Sequence, residues 1–371
     1  MRIIDLRIKN FKSIRDMHIG GIENALILVG KNNTGKTAVL DAIRAASGDY
    51  VVREEDFQED FPNIEIGISL KIEEEDLKRL HRRGIVSPYR RYEAWHRDFC
   101  EKIPSYQDGI LAFEFVVNRD GKTRYGDGCQ KNNPYIPQIF PKVYYMDTQR
   151  NLDQFQDDLL MMQEDELLKQ MRSGCCMFDR AKECNHCFSC IGLIHQKTTE
   201  ELNAFEAAKL LDYKLYQLNL DAFSQSVNEN FRKNGGRDRI LYSMNRDIEK
   251  MLSVTAEIYN EKQNRRRPVN CMGKGMRSIY MLSLLETYEE QEEQAGDVIM
   301  AEDPEIFLHP KLQKVSGEIL YRLSRSSQVI FSTHSPNLLA NFNSRQIRQV
   351  VIGEDGYSQV CEKTDISAVL V

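Results

Sequence analysis

Residues 2–11, RIIDLRIKNF, alternate apolar and polar positions, the period of a strand with one buried face. ALILVG, from Ala25, is a continuous apolar run that stops at a glycine and suits a fully buried strand. A polar, glycine-containing loop follows, and TAVLDAIRAA, from Thr37, reads as a helix. The first 48 residues therefore read strand, turn, strand, loop, helix. Alternation returns in IEIGISLKIE from Ile64 and in ILAFEFVVN from Ile110, the second followed by the turn DGKT. VYYMD, from Val143, is a short apolar strand ending in an acid.

From about residue 151 to 263 glycine and proline thin out and helical spacing takes over. Leu202, Phe205, Leu211, Leu215, Leu218, Val227 and Phe231 form one apolar stripe; Ile240, Met244, Ile248, Met251, Thr255 and Ile258 form another. Asn234-Gly235-Gly236 between them suits the turn of a helical hairpin. Such stripes either pack the segment's own core or join copies of the chain. From Arg265 strands and helices alternate again. The order is a helix over 276–292, the buried strand DVIMAED, a helix over KLQKVSGEILYRLS, the buried strand QVIFSTHSP, and a late strand and turn at QVVIGEDG.

The chain's 371 residues suffice for two domains or for one with an insertion. No apolar run approaches the ~20 residues that span a bilayer. The opening strand carries no signal-peptide block. The expectation is a cytoplasmic protein without a membrane partner. A net charge of −6 neither demands nor forbids a nucleic-acid partner, because local patches decide that.

Three stretches carry chemistry. GKNNTGKT, Gly30 to Thr37, follows a strand and precedes a helix, the context in which G-x-x-x-x-G-K-[ST] binds phosphates. Gly30 and Gly35 let the backbone close round the phosphates, with Asn32, Asn33 and Thr34 between them and Ala38 opening the helix. Lys36 supplies a cation to the β- and γ-phosphates, and Thr37 a hydroxyl to Mg²⁺. In DVIMAEDPE, Glu302 is placed to hold the Mg²⁺ shell and Asp303 to orient or deprotonate the attacking water. In FSTHSP, His334 stands just past a buried strand, where a side chain can sense a γ-phosphate.

IKNFKSI, GKNNTGKT, EDPEIFLHP and FSTHSPNLL together resemble the ABC-type ATPases of the SMC/RecF/OLD group, and most closely the OLD (overcoming lysogenization defect) ATP-dependent nucleases. The resemblance covers roughly residues 1–50 and 265–345. It implies an α/β fold: an ABC-type P-loop ATPase head with two lobes and an α-helical, cysteine-rich insertion. The segments would be lobe I over 1–150, the insertion over 151–264 and lobe II over 265–371. It also implies ATP and Mg²⁺ sandwiched between two heads, a homodimer or higher oligomer, DNA as a partner, and service in defence against phage. MGKGMRSIYMLSLL, from Met272, occupies the signature position, so Gly273, Lys274 and Gly275 would reach a partner's γ-phosphate. Gln149 stands where a Q-loop residue would.

The chain departs from that pattern in three ways. The signature lacks its serine, so the contact across the dimer falls to backbone or to Lys274. Asp303 is one methylene shorter than the usual glutamate, which implies slow hydrolysis. The TOPRIM nuclease domain of OLD proteins does not follow KTDISAVLV, so the expectation is either a longer chain or a separate nuclease polypeptide. Two rivals to an autonomous ATPase follow: a nucleotide-dependent scaffold for a separate nuclease, and a DNA-repair clamp like RecF.

Two features lie outside the resemblance. Cys175, Cys176, Cys184, Cys187 and Cys190, with His186, supply enough soft ligands for a tetrahedral Zn²⁺. The spacing also suits an Fe–S cluster, and free or redox-active thiols are the third reading. Lys78, Arg79, His81, Arg82, Arg83, Arg90, Arg91, His96 and Arg97 crowd a stretch interleaved with Tyr89, Tyr92 and Trp95, and Arg265–Arg267 form a second basic run. Either DNA contact or a solvated face opposite Glu73–Asp76 accounts for the first.

Overall fold

The computed structural model describes residues 1–152, 176–178, 187–217, 221–235, 256–289 and 297–361. Two compact units emerge: Met1–Asn151 with Asn270–Val371, and Leu152–Val269. The first unit holds two sheets. One contains β1 (Arg2–Phe11), β2 (Ile14–Gly20), β4 (Asn63–Lys71), β5 (Tyr106–Gln107), β6 (Ile110–Asn118) and β7 (Thr123–Gly126), in the order β2-β1-β4-β6-β5 with β7 also on β6. Its pairings are antiparallel. Ile64, Ile66, Ile68 and Leu70 of β4 face one core with Leu111, Phe113, Phe115 and Val117 of β6, as period-two patterning requires. In β1 both Ile3 and Leu6 are fully buried, against strict alternation. A register shift between Ile3 and Asp5 resets which face the side chains take.

The second sheet gathers β3 (Ala25–Val29), β8 (Val143–Met146), β11 (Val298–Ala301), β12 (Gln328–Thr333), β13 (Ile347–Ile352) and β14 (Ser358–Cys361), in the order β14-β13-β3-β12-β11-β8. All its pairings are parallel except β13–β14. β3, β11 and β12 are buried at every residue; β3 and β11 are accordingly unbroken apolar runs, whereas β12 carries the buried polar residues Gln328, Ser332 and Thr333 at its ends. Helix α1 (Lys36–Ser47) follows β3 and buries Val39, Leu40, Ala42 and Ile43. The helices Lys274–Glu289 and Pro310–Leu323 precede β11 and β12.

Gln328 joins the two sheets. Fully buried, its amide accepts from Ile3 N (2.8 Å) and donates to Ile3 O (2.7 Å) and Glu23 O (2.8 Å). A buried amide is tolerated because its bonds are made.

The sequence reading did not anticipate β2, nor helices α2 (Glu74–Arg82) and α3 (Tyr92–Lys102). The charge of that stretch hid two amphipathic helices. Trp95 is fully buried and donates Nε1–H to Ile85 O at 2.9 Å, while Tyr92 stacks on it and Phe99 packs against it.

In the second unit the helices Ala204–Gln217 and Asp221–Lys233 are followed by the hairpin β9 (Glu257–Asn260) and β10 (Arg265–Pro268). Of the first apolar stripe Phe205 is buried, but Leu211 and Phe231 are exposed. The second stripe lies mostly outside the described residues, and Ile258 is on a strand, not a helix. Among the described residues no helix is long and apolar enough to cross a membrane.

Replacing Gln328 with alanine strands the buried N–H and C=O of Ile3 and removes a donor from the partly buried Glu23 C=O. It is expected to destabilise the first unit by about 3 kcal/mol. Urea unfolding followed through the fluorescence of Trp95, the single tryptophan, measures this; an unchanged midpoint would remove Gln328 as the tie between the sheets.

Candidate nucleotide site

The parallel strands β3, β12, β11 and β8 leave the sheet at one edge, and each is followed by residues of chemical interest. Open α/β sheets place ligands at that edge.

After β3, Gly30 has φ 153° and Gly35 has φ 99°. A Cβ on Gly30 would stand 2.3 Å from Val350 O. One on Gly35 would stand 2.3 Å from Ser358 Oγ and 2.9 Å from Ser13 Oγ. Both positions therefore need glycine twice over, for conformation and for space. Lys36 is buried and folds back over the loop, donating to Gly30 O and Lys31 O at 2.9 Å each. Burial holds its ammonium below the usual lysine range, with Asp303, Glu305 and Glu302 opposing the shift. Asn32 and Asn33 are exposed, and Thr34 is buried with its hydroxyl on Lys31 O at 3.0 Å. Ala38 turns its methyl into the core, so only its amide can serve a ligand. Helix α1 has no side-chain cap and no acid in its first turn, which leaves its first amides and positive end open to an anion.

After β11 comes the acid pair. Glu302 accepts from the Thr37 hydroxyl on Oε1 and from the Tyr145 hydroxyl on Oε2 at 2.9 Å. Tyr145 lies on neighbouring β8, and burial together with the Glu302 charge raises its phenol above the usual range. Asp303 takes a left-handed backbone, φ 40°, and Ser332 of β12 holds it twice. The Ser332 hydroxyl donates to Asp303 Oδ1 at 2.9 Å and accepts from Asp303 N at 3.1 Å.

Glu305, three residues on, turns back to β12. Its Oε1 accepts from Thr333 Oγ1 (2.7 Å) and from His334 N (2.6 Å). Burial raises the Glu305 carboxyl above the usual range. The His334 backbone is thereby fixed while its ring stays exposed.

After β8, Gln149 is exposed in a turn, whereas its neighbour Arg150 points inward and is fully buried. Arg150 reaches Ser278 Oγ and the carbonyls of Asp147, Glu302 and Asp303. Gly273–Gly275, which opens the helix Lys274–Glu289, packs on the loop after the acid pair: a Cβ on Gly275 would stand 2.5 Å from Phe307 O, and Lys274 Nζ lies 4.8 Å from the Phe307 ring centre. Motif spacing revealed Lys36, Thr37, Glu302, Asp303 and His334 as candidates. Tyr145, Arg150, Glu305 and Ser332 escaped it, although the EDPE string already contained Glu305.

A family model for an AAA ATPase domain matches residues 1–170 and 145–339, most of the chain. The chain belongs to that family. Among solved structures it is similar to a Smc head domain with an extended coiled coil bound to the C-terminal domain of ScpA, from Pyrococcus furiosus. That match has 14% identity and a TM-score of 0.51, and covers 99% of this chain and 97% of that one. It is also similar to a Smc head domain with a coiled coil and joint from Pyrococcus yayanosii, at 13% identity and a TM-score of 0.51, covering 99% of each chain. These likenesses establish an SMC-head-like fold. No curated protein aligns significantly with the sequence.

The AAA ATPase family membership leaves the cysteines unexplained. Cys175, Cys184 and His186 lie outside the described residues. Cys176 is half-buried, Cys187 exposed, and Cys190 buried against Ile191 and Ile194. Among the described residues no three His, Cys, Asp or Glu side chains gather to hold a metal. The first basic stretch is corrected in part. Trp95 and Tyr92 are packed against each other rather than presented as a stacking platform. Arg79 is buried on Asp76 at 2.9 Å, and Lys78 bonds Glu75 at 3.0 Å. Arg82, Arg83, Arg90, Arg91 and Arg97 remain exposed, as do Arg265, Arg266 and Arg267.

Gly35→Ala is expected to leave the fold intact and to weaken binding of a fluorescent ATP analogue about tenfold, from strain at positive φ plus the clash with Ser358. Adding Ser358→Gly removes the closest clash but leaves Ser13 Oγ and the positive φ, so affinity should recover in part. Unchanged affinity for Gly35→Ala would show that the loop does not hold phosphate in this conformation.

Proposed function

We propose that the chain binds ATP with Mg²⁺ on the phosphate loop and hydrolyses it to ADP and phosphate within a dimer of heads. The change of state would gate DNA engagement or a TOPRIM-type nuclease, as in the OLD proteins it resembles. The bond from Thr37 to Glu302 supports this most directly. It joins the hydroxyl expected at the ion to the carboxylate expected to hold it, across 265 positions of sequence.

These two oxygen donors suit a hard cation. Thr37 and Glu302 would hold Mg²⁺, which neutralises charge on the β- and γ-phosphates when bound. Lys36 exchanges the Gly30 and Lys31 carbonyls for phosphate oxygens. The loop amides and the open end of α1 receive the remaining phosphate charge. Ser332 fixes one oxygen of Asp303, and the other orients the attacking water and takes its proton. His334, its amide fixed by Glu305, extends its ring toward the γ-phosphate. The helix start at Gly273–Gly275, exposed at Gly273 and Lys274, faces a second head, with Lys274 standing in for the signature serine.

One observation favours a second reading, a nucleotide-dependent scaffold with little turnover. Asp303 is short and already tied to Ser332 through a left-handed backbone.

Steady-state ATP hydrolysis with Mg²⁺, with and without double-stranded DNA, separates the two. The wild type is expected to turn over, and Glu302→Gln/Asp303→Asn to lose about a hundredfold or more. Removing Mg²⁺ with a chelator should abolish turnover as well. Tight ATP binding without turnover in the wild type would sink the hydrolase and leave the scaffold.

A further inference from the structure

Arg150 is among the largest fully buried side chains of the chain, and its backbone is left-handed at φ 58°. Its Nε–H donates to Ser278 Oγ at 2.7 Å, in the first turns of the helix Lys274–Glu289. Nη1 donates to the carbonyls of Asp147 and Glu302, the second at 3.2 Å, and Nη2 to that of Asp303 at 2.7 Å. Its own amide donates to Asp147 Oδ1 at 2.6 Å. One guanidinium therefore spans three separate segments: the end of β8, the start of the signature helix, and the acid pair.

The bonds to Glu302 and Asp303 fall on the carbonyls before and after the Asp303 α-carbon. They fix both peptide planes flanking a non-glycine residue at φ 40°. A residue in that conformation persists only where its surroundings over-determine it. Ser332 holds the Asp303 amide and carboxylate; Arg150 holds the two carbonyls. Guanidinium suits the task, since it stays charged when buried and offers a fixed fork of donors. Lysine has one point of attachment and no fork.

We propose that Arg150 is a positioning residue that locks the Asp303 carboxylate in its working orientation and ties that orientation to the start of the signature helix through Ser278. A second head closing on Gly273–Gly275 would then act on Asp303 through Ser278 and Arg150. The proposal rests on the ATPase reading for its kinetic consequence, but the brace can be tested without turnover.

The test compares Ser278→Ala, which removes one bond of the brace, with Arg150→Lys, which removes the fork. Glu286→Gln is the control. It loosens another tie of the same helix, the 2.6 Å bond from Arg322, without touching the acid pair. For Ser278→Ala and Arg150→Lys, kcat is expected to fall about tenfold while KM and ATP affinity stay within about twofold, as for a group acting only after substrate is bound. Glu286→Gln should match the wild type, and the double variant should be no worse than Arg150→Lys alone. Hydrogen exchange over residues 302–308, with a non-hydrolysable ATP analogue bound, should quicken in Ser278→Ala and not in Glu286→Gln. Unchanged kcat in Ser278→Ala and Arg150→Lys, or an equal loss in Glu286→Gln, overturns the proposal. Should the wild type hydrolyse no ATP, the ATPase reading falls and the exchange result decides: quickened exchange in Ser278→Ala sustains the brace, and unchanged exchange overturns it. Ser278→Ala, a one-atom deletion, decides if Arg150→Lys fails to fold.

Discussion

The parallel register of β8, β11, β12 and β3 is the constraint on which the candidate site depends. Ala301 pairs with Met146 on one side and Phe331 on the other, and Thr333 pairs with Val29. Chain leaving β11 at Glu302 is therefore level with Ser332, which still lies inside β12. That offset is why Asp303 meets the Ser332 hydroxyl, and why Glu305 can turn back onto Thr333 and the His334 amide. The phosphate loop, one strand further, leaves at the level of His334. A slip of one residue between β11 and β12 would turn Ser332 to the other face and leave Asp303 without its partner.

The same edge stores strain. Asp303, Phe307 and Arg150 all have positive φ without being glycine, at 40°, 67° and 58°. Each such conformation costs on the order of 1–3 kcal/mol. At Arg150 and Asp303 the opposing bonds are visible, and they are largely bonds between these same residues. Phe307 is different, because its ring is exposed, with the Lys274 ammonium over it. The glycines of the loop solve a related problem without strain, since packing of Val350 and Ser358 leaves no room for a side chain.

Elements with strong local period were legible in the sequence. β4 and β6 alternate because one face is buried, and β3, β11 and the middle of β12 run apolar because both are. Where a long-range partner decides, local pattern failed. Trp95 reads as one more aromatic in a basic stretch until the fold buries it, with the His81 ring of α2 against it and Ile85 O on its indole N–H. Leu211 lies six residues from buried Phe205, about 120° round the helix, so the stripe drawn from the sequence was wider than one face and Leu211 is exposed. At the site, motif spacing picked out Lys36, Thr37, Glu302 and Asp303, which the fold brings to one edge. It chose Gln149 and passed over Arg150, because nothing near Arg150 in sequence announces Ser278 or the Asp303 carbonyl. The cysteines were conspicuous by spacing alone, and spacing names ligand types without showing that they converge.

Burial is the leading cause of the shifts at Lys36, Tyr145 and Glu305. Water is therefore already scarce around these groups, and each charge depends on its protein partners. Lys36 has two carbonyls, Glu302 two hydroxyls and Arg150 a set of carbonyls and a hydroxyl. Among the described residues Glu305 keeps one buried oxygen, Oε2, without a hydrogen bond. Burial is the leading influence that raises its carboxyl above the usual range, and the bonds from Thr333 and His334 to its other oxygen oppose that shift. Lys36 and Glu302, whose present partners are neutral oxygens, are the groups that the proposed function turns toward phosphate and a cation. They can exchange those partners for phosphate and a cation at small cost, whereas Asp303, held by Ser332 and by Arg150 at its backbone, stays where it is.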